Sequence, residues 1–264
     1  NKEFAKSLIL TPQSKRTFPS TSPATERYHC PFLPCTQSMS QPRFHCPFPL
    51  AANQRIELPD TVAHHATRVL RLREGTAIVL FDGSGGQFPA TLHIEGKRAW
   101  AQTAERDSTE AELPVRTILV QGIASGDKMD WVVEKAVELG VAQLVPIAAQ
   151  RSVIQLSGER REKRLRHWQR SAISASEQCG RNRLMDVAPV QTLQEWFAQA
   201  DAQVLKLACH PEAKNDLEAA VQHHDGALAL MVGPEGGWSD EELAIMQEHG
   251  LEPVRFGRRV LRTE

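Results

Sequence analysis

Ala227-Leu-Ala-Leu-Met-Val232 runs directly into Gly233-Pro234-Glu235-Gly236-Gly237-Trp238, and then into Ser239-Asp-Glu-Glu242. An unbroken apolar run of this length suits a strand buried on both faces, as in a parallel sheet. Ser239 with Glu242 three residues later is a capping box, the start of a helix. The same strand-then-helix order is found on both sides of this stretch. Strands are predicted at Val115 to Ala124, Gln143 to Ala148, Met185 to Val190, Gln203 to Cys209 and Glu252 to Phe256. Helices are predicted at roughly 127–139, 158–178, 191–199, 214–223 and 239–249, with Gly140, Gly180 and Gly250 at C-terminal cap positions. Such alternation predicts an α/β fold, a parallel sheet with helices on both faces, whose ligands sit at the carboxyl ends of the strands.

Upstream the pattern changes. Residues 39–112 read as a small β-rich domain. Gln54-Arg-Ile-Glu-Leu alternates as a strand. Asp60 can cap a short helix with Val62, Ala66, Val69 and Leu70 as its apolar face. Thr76 to Phe81 and Gln87 to Ile94 flank the turn Asp82-Gly-Ser-Gly-Gly, and a third strand follows through Trp100. The polar run Glu105 to Pro114 is a linker into the α/β domain, 113–264. Residues 1–38 hold no Gly and five Pro with no sustained period, the character of a disordered or non-native extension, which makes Met39 the expected start.

The formal charge of −1 conceals a segregation. Residues 1–38, 43–73, 151–183 and 255–264 carry +3, +3, +6 and +3, so the rest of the chain carries −16. Arg dominates these basic segments, and its planar fork matches phosphate and stacks on bases, which points to nucleic acid; a solvated helix face is the plainer explanation. With 41% hydrophobic and 24% charged residues the composition is that of a globular protein. No apolar stretch approaches the roughly 18 residues of a membrane span. Five Cys without a CxxC pair or a matching His spacing give no metal site and suggest a reducing, cytoplasmic setting.

Several segments carry candidate chemistry. Three Gly in five residues, Gly233 to Gly237, permit close approach of a ligand, and Pro234 stiffens the loop. Its backbone groups could read a neutral planar group such as adenine. Phe256-Gly-Arg-Arg-Val-Leu-Arg-Thr-Glu264 follows another strand end, so the two loops could line one pocket. Glu177-Gln-Cys-Gly-Arg-Asn-Arg183 closes a basic helix, and its Arg set is a phosphate-binding candidate. Gly122-Ile-Ala-Ser-Gly126-Asp-Lys128 is neither a P-loop nor a dinucleotide fingerprint, although Lys128 and the helix behind it could attract an anion. His210, also past a strand end, is structural, solvated or part of the same edge.

Taken in order, Glu134-Lys-Ala-Val-Glu-Leu-Gly140, Arg151-Ser-Val153, Glu177-Gln-Cys-Gly-Arg181, Gly233 to Gly237 and Arg259-Val-Leu-Arg-Thr-Glu264 resemble the ribosomal RNA small subunit methyltransferase E family over about residues 43–264. The resemblance implies a SPOUT-class methyltransferase domain with a trefoil knot behind a PUA-like RNA-binding barrel. It implies S-adenosylmethionine as cofactor, N3 of one uridine in 16S ribosomal RNA as target, the small ribosomal subunit as partner and a homodimer as the acting form. Residue by residue, it places the methyl donor against Gly233, Pro234, Glu235, Gly236 and Gly237, against Gly257, Val260, Leu261 and Arg262, and against the strand end Leu207 to His210. It places RNA against Arg43, Arg68, Arg71, Arg151, Arg181 and Arg183. Arg262, Glu264 and Glu235 are the groups suited to help a proton leave uridine N3. Members of the family continue past Leu-Arg-Thr-Glu with Thr-Ala and a final helix that threads the knot, so a chain ending at Glu264 is expected to lack that helix. The alternatives implied are ribose 2′-O methylation by the same fold class and an inert RNA-binding fragment.

Overall fold

The computed structural model describes residues 41–96, 98–153 and 157–264; the predicted extension, 1–38, lies outside them. Two sheets organise the described chain. The first holds β1 (Arg43–His45), β2 (Arg55–Glu57), β3 (Ala77–Phe81), β4 (Phe88–Glu95) and β5 (Arg98–Thr103) in the order β1-β3-β4-β5-β2. Its pairs are antiparallel except β1 with β3. Alternation along β4 and β5 turns Ala90, Leu92, Ala99 and Ala101 inward, where they meet Phe44, Ile78, Leu80 and helix α1 (Asp60–His64).

That helix corrects one expectation. Val62 and Ala66 are buried, but Val69 and Leu70 are exposed. The helix passes into a π-helical turn, His65–Val69, which adds a residue to the turn and swings the later side chains off the apolar face. Asp60 is the first helical residue and its side chain makes no cap.

The second sheet is parallel throughout: β6 (Thr117–Gly122), β7 (Gln143–Ile147), β8 (Asp186–Val187), β9 (Leu205–Cys209), β10 (Asn215–Asp216), β11 (Leu228–Val232) and β12 (Glu252–Arg255) in the order β10-β12-β9-β11-β6-β7-β8. Helices α2 (Lys128–Glu138) and α3 (Gly158–Cys179) cover one face through Met129, Val133, Trp168 and Ala172. Helices α4 (Leu193–Gln199) and α6 (Asp240–Glu248) border the core on the other, where Ile118, Val120, Val145 and Met231 pack with Trp196, Phe197 and Met246. A further short helix is α5 (Leu217–Val221). Gly140, Gly180 and Gly250 have φ of +84°, +88° and +70°, as left-handed helix ends require. The predicted strand 185–190 shrinks to two residues because it lies at the sheet edge and Pro189 has no amide proton to donate.

After β6 the chain adds β7 and β8 on one side, then returns to place β11 on the other. The carboxyl ends of β6 and β11 thus flank the point where the winding reverses, the usual ligand crevice of such sheets.

Candidate functional site

Register fixes who meets at that crevice. Val232 lies opposite Gln121 of β6, and Met231 lies opposite Ala208 of β9. Continuing those ladders by one and two steps sets Gly122, Gly233 and His210 in one row at the carboxyl edge. Val254 of β12 pairs with Cys209, so Arg255 ends the same row. From Arg255 the chain runs over the ends of β9 and β11. It comes back to the sheet at Thr263, whose Oγ1 donates to the Gly233 carbonyl at 2.5 Å. Every residue of this crossing from Phe256 to Arg262 is exposed, Gly257, Val260, Leu261 and Arg262 among them.

Gln121 ties the pieces together. Its side chain is 1% exposed, and its Nε2 donates to Thr263 Oγ1 at 3.0 Å, to the Gly122 carbonyl at 2.9 Å and to the Gly233 carbonyl at 3.4 Å. A buried amide must find partners, and here they come from three separate stretches of chain. Sequence reading missed Gln121. The available signal was a single polar residue at the end of the apolar run Ile118 to Val120.

The glycine loop is braced from every side. Pro234 O accepts from Gly237 N at 2.8 Å, closing a turn in which Gly237 has φ of +69°. Trp238 is buried in the core below, and the predicted Ser239–Glu242 capping box is present. Arg151, after β7, donates to the Trp238 carbonyl at 3.0 Å. Glu235 accepts from the Ser125 hydroxyl at 2.5 Å and the Ser125 amide at 3.0 Å, with Lys128 Nζ at 3.2 Å. Lys128 Nζ also stands 3.5 Å from Glu264 Oε2.

Burial works to raise the Glu235 carboxyl, but the Ser125 hydroxyl and amide, with Lys128, hold it down to about 2. A carboxylate this acidic is a poor proton acceptor at neutral pH, so Glu235 shapes the loop. Because the folded value is depressed, the contact is fully present above the ordinary carboxylate value of 4.5 and is lost only as pH falls through about 2. Exchange protection of the Gly237 amide is therefore expected to stay flat from pH 7 to pH 4 and to drop in Glu235→Gln at any pH. A loop transition with its midpoint near pH 4 would show that Ser125 does not hold the carboxylate.

The other predicted residues divide. Glu264 Oε2 is buried and, despite Lys128 at 3.5 Å, takes no hydrogen bond. Arg262 points outward, 86% exposed and 3.9 Å from Glu264. Leu207 is buried and offers the site only backbone. His210 lines a cavity of about 410 Å³ with Lys214 and Pro253, and its Nδ1 accepts from the Glu212 amide. Arg68 and Arg71 are exposed on the small domain.

Arg181 and Arg43 correct the sequence reading. Arg181 is 3% exposed. It forms a fork with Glu112 at 2.6 and 3.0 Å and donates to the carbonyls of Val137 and Val141. No face of its guanidinium is left for phosphate. Arg43 is half-buried, donating to Gln87, Asn182 and the Arg181 carbonyl; burial lowers its pKa, partly offset by Cys179 and Glu177. These two arginines join the small sheet to the large domain, assisted by the His45 amide on Glu177 at 2.9 Å. Arg183 remains largely exposed near Glu110 at 3.5 Å.

Among the described residues no cluster of acidic, His or Cys side chains could hold a metal, and no helix is long and apolar enough to cross a membrane.

The model of the RNA methyltransferase domain family matches residues 111–264, and that of the RNA methyltransferase PUA domain matches residues 58–103. Ribosomal RNA small subunit methyltransferase E of Synechocystis sp. is 30% identical over 221 residues, 81% of this chain and 71% of that protein. The Bacillus subtilis protein of the same name is 29% identical over 211 residues, 76% and 82% of the two chains. Among solved structures, ribosomal RNA small subunit methyltransferase E from Neisseria gonorrhoeae, bound to S-adenosyl methionine, shares 38% identity at a TM-score of 0.79, over 84% of this chain and 92% of that one. The architecture is therefore SPOUT-type, a parallel α/β domain preceded by a PUA-like domain.

Proposed function

Because this chain belongs to the ribosomal RNA small subunit methyltransferase E family, we propose that it methylates N3 of a uridine in 16S ribosomal RNA with S-adenosylmethionine as donor. The carrying observation is the junction at the β6–β11 switch point, where Gln121, the glycine loop and the segment from Phe256 to Glu264 converge. The residues present fit that cofactor. Glu264 Oε2 and Trp238 Nε1 are buried without protein partners, so a ligand offering both donors and acceptors can satisfy them. Gly233 to Gly237, the strand end at His210 and residues Gly257 to Arg262 would hold it. When bound, S-adenosylmethionine supplies an electrophilic methyl on a sulfonium.

The protein's own part is to orient and to handle a proton. Uridine N3 carries a proton at neutral pH, and of the carboxylates at this junction Glu264 is the one chemically suited to take it. Lys128, 3.5 Å away, and the exposed side chain of Arg262 supply positive charge where the base turns anionic. N3 lies on the pairing edge, so the target base must be unpaired or flipped. We place the enzyme in the cytoplasm, acting as a homodimer on the small ribosomal subunit.

Nucleoside mass spectrometry of 16S ribosomal RNA tests this. A strain lacking the gene should lose one base-methylated uridine, and the purified protein should restore it. Loss of a ribose-methylated nucleoside instead would assign 2′-O chemistry, and an unchanged set of marks would end the proposal.

A further inference from the structure

Helix α3 is basic on its solvent side in a way that does nothing for its own stability. Arg160, Lys163, Arg166 and Arg170, with His167 between them, recur at spacings of three and four, opposite the buried Trp168, Ala172 and Ala175. Like charges three and four apart on one face repel. Arg160, and beside it Arg161, also stand in the first turn of the helix, where the backbone dipole disfavours positive charge. Among the described residues, only part of the row is neutralised. Glu162 meets Arg166 at 3.5 Å, and Asp130 of α2 meets His167 at 3.1 Å, while no carboxylate pairs with Arg160, Lys163 or Arg170. The next residue on α2, Trp131, is 46% exposed, so an indole stands in solvent one position from the carboxylate that braces the row.

The helix also connects the two places where RNA has business. Its 22 residues span about 33 Å. Its first turn follows the loop in which Arg151 grips the Trp238 carbonyl at the glycine loop. Its last turn holds the small domain, Glu177 accepting from the His45 amide. The cations occupy about 15 Å of the half nearer the glycine loop, room for about four phosphates of one duplex strand at roughly 3.4 Å per charge.

We propose that the exposed Arg160–Lys163–Arg170 row of α3 is a phosphate-binding track, which seats the RNA backbone between the small domain and the methyl-transfer edge. The proposal rests on the reading of the chain as an RNA methyltransferase; the surface itself asks only for a polyanion with an accessible base.

The test compares the full chain with R160Q/K163Q/R170Q. Fluorescence anisotropy is read on labelled 16S ribosomal RNA and on poly-glutamate of matched charge, across a salt series. S-adenosylmethionine calorimetry and thermal melting run alongside. The triple variant is expected to melt as the parent does, to bind the cofactor equally, to bind RNA at least about 10-fold more weakly and to show a salt slope lower by about 2. E162Q, which removes a carboxylate from the row, should tighten RNA binding by about 3-fold, a gain that misfolding cannot produce. Equal RNA affinity and slope in parent and triple variant would overturn the track even if the parent binds cofactor. An equal loss on poly-glutamate would reassign the row to an acidic protein partner and overturn the RNA assignment. A parent that binds RNA through the row but takes no S-adenosylmethionine would sink the methyltransferase reading and leave the track standing.

Discussion

Arg181→Ala is expected to destabilise the protein by about 3–5 kcal/mol, the usual result of removing one partner from a buried ion pair. The arginine is 3% exposed and serves three acceptors at once: the Glu112 carboxylate, the Val137 carbonyl and the Val141 carbonyl. Removing it strands a carboxylate that has lost its counter-charge and two carbonyls at the end of α2. For a chain of this size such a loss lowers the melting temperature by about 10 °C or more. Arg181→Lys should recover little, since an ammonium cannot reproduce a planar fork and reach both carbonyls. Arg183→Ala is the control. Its side chain is 54% exposed and meets Glu110 at only 3.5 Å, so it should cost under about 1 kcal/mol. The measurement is thermal and urea unfolding of all three, with RNA affinity taken on the folded protein. Should Arg181→Ala melt with the parent and lose only RNA affinity, the residue is an RNA contact and the structural role assigned to it is wrong.

That pair of arginines shows where sequence reading stops. Both stand in the same basic segment, Cys179-Gly-Arg181-Asn-Arg183, and nothing local separates them. What separates them is Glu112, 69 residues earlier, brought in by the packing of the two domains. Features written within a few residues were legible: the capping box at Ser239, the glycine helix ends and the glycine loop after the apolar run all rest on local backbone chemistry. Features needing a distant partner were not. Strand β1, three residues between Pro42 and Pro47, exists because β3 offers it a parallel edge. The π-helical turn at His65–Val69 upset a face drawn at helical spacing. Gln121 passed unremarked within the predicted strand Val115 to Ala124, and its meaning depends on Gly233 and Thr263, more than 100 residues away. Lys128 was legible as an anion-seeking group; that its anions are Glu235 and Glu264 was not.

A graded series at the glycines tests whether loop spacing controls the site, and Gly122→Ala should be its extreme. A methyl group there would lie 2.5 Å from Pro234 Cδ and 2.6 Å from Pro234 N. Neither atom can rotate away, because the proline ring is rigid and Pro234 is itself buried in the turn closed by Gly237. The loop must retreat by about 1 Å, a misplacement that can cost about 100-fold, and S-adenosylmethionine affinity is expected to fall by that order. Global stability should fall less, by about 1–3 kcal/mol, as for other overpacked sites. Gly236→Ala meets Arg151 Cβ at 2.9 Å and its carbonyl at 3.0 Å. Those atoms belong to an exposed loop that can give, so the loss should be nearer 10-fold. Gly233→Ala meets the Gly237 and Trp238 backbone, all at 3.3 Å, and a shift of a few tenths of an ångström relieves it. If spacing between the β6 end and the glycine loop sets the pocket, calorimetry will rank the losses Gly122, then Gly236, then Gly233. The reverse ranking, with Gly233→Ala abolishing binding and Gly122→Ala near normal, would mean that direct contact at Gly233 alone sets cofactor affinity and that the gap held open at Gly122 is incidental.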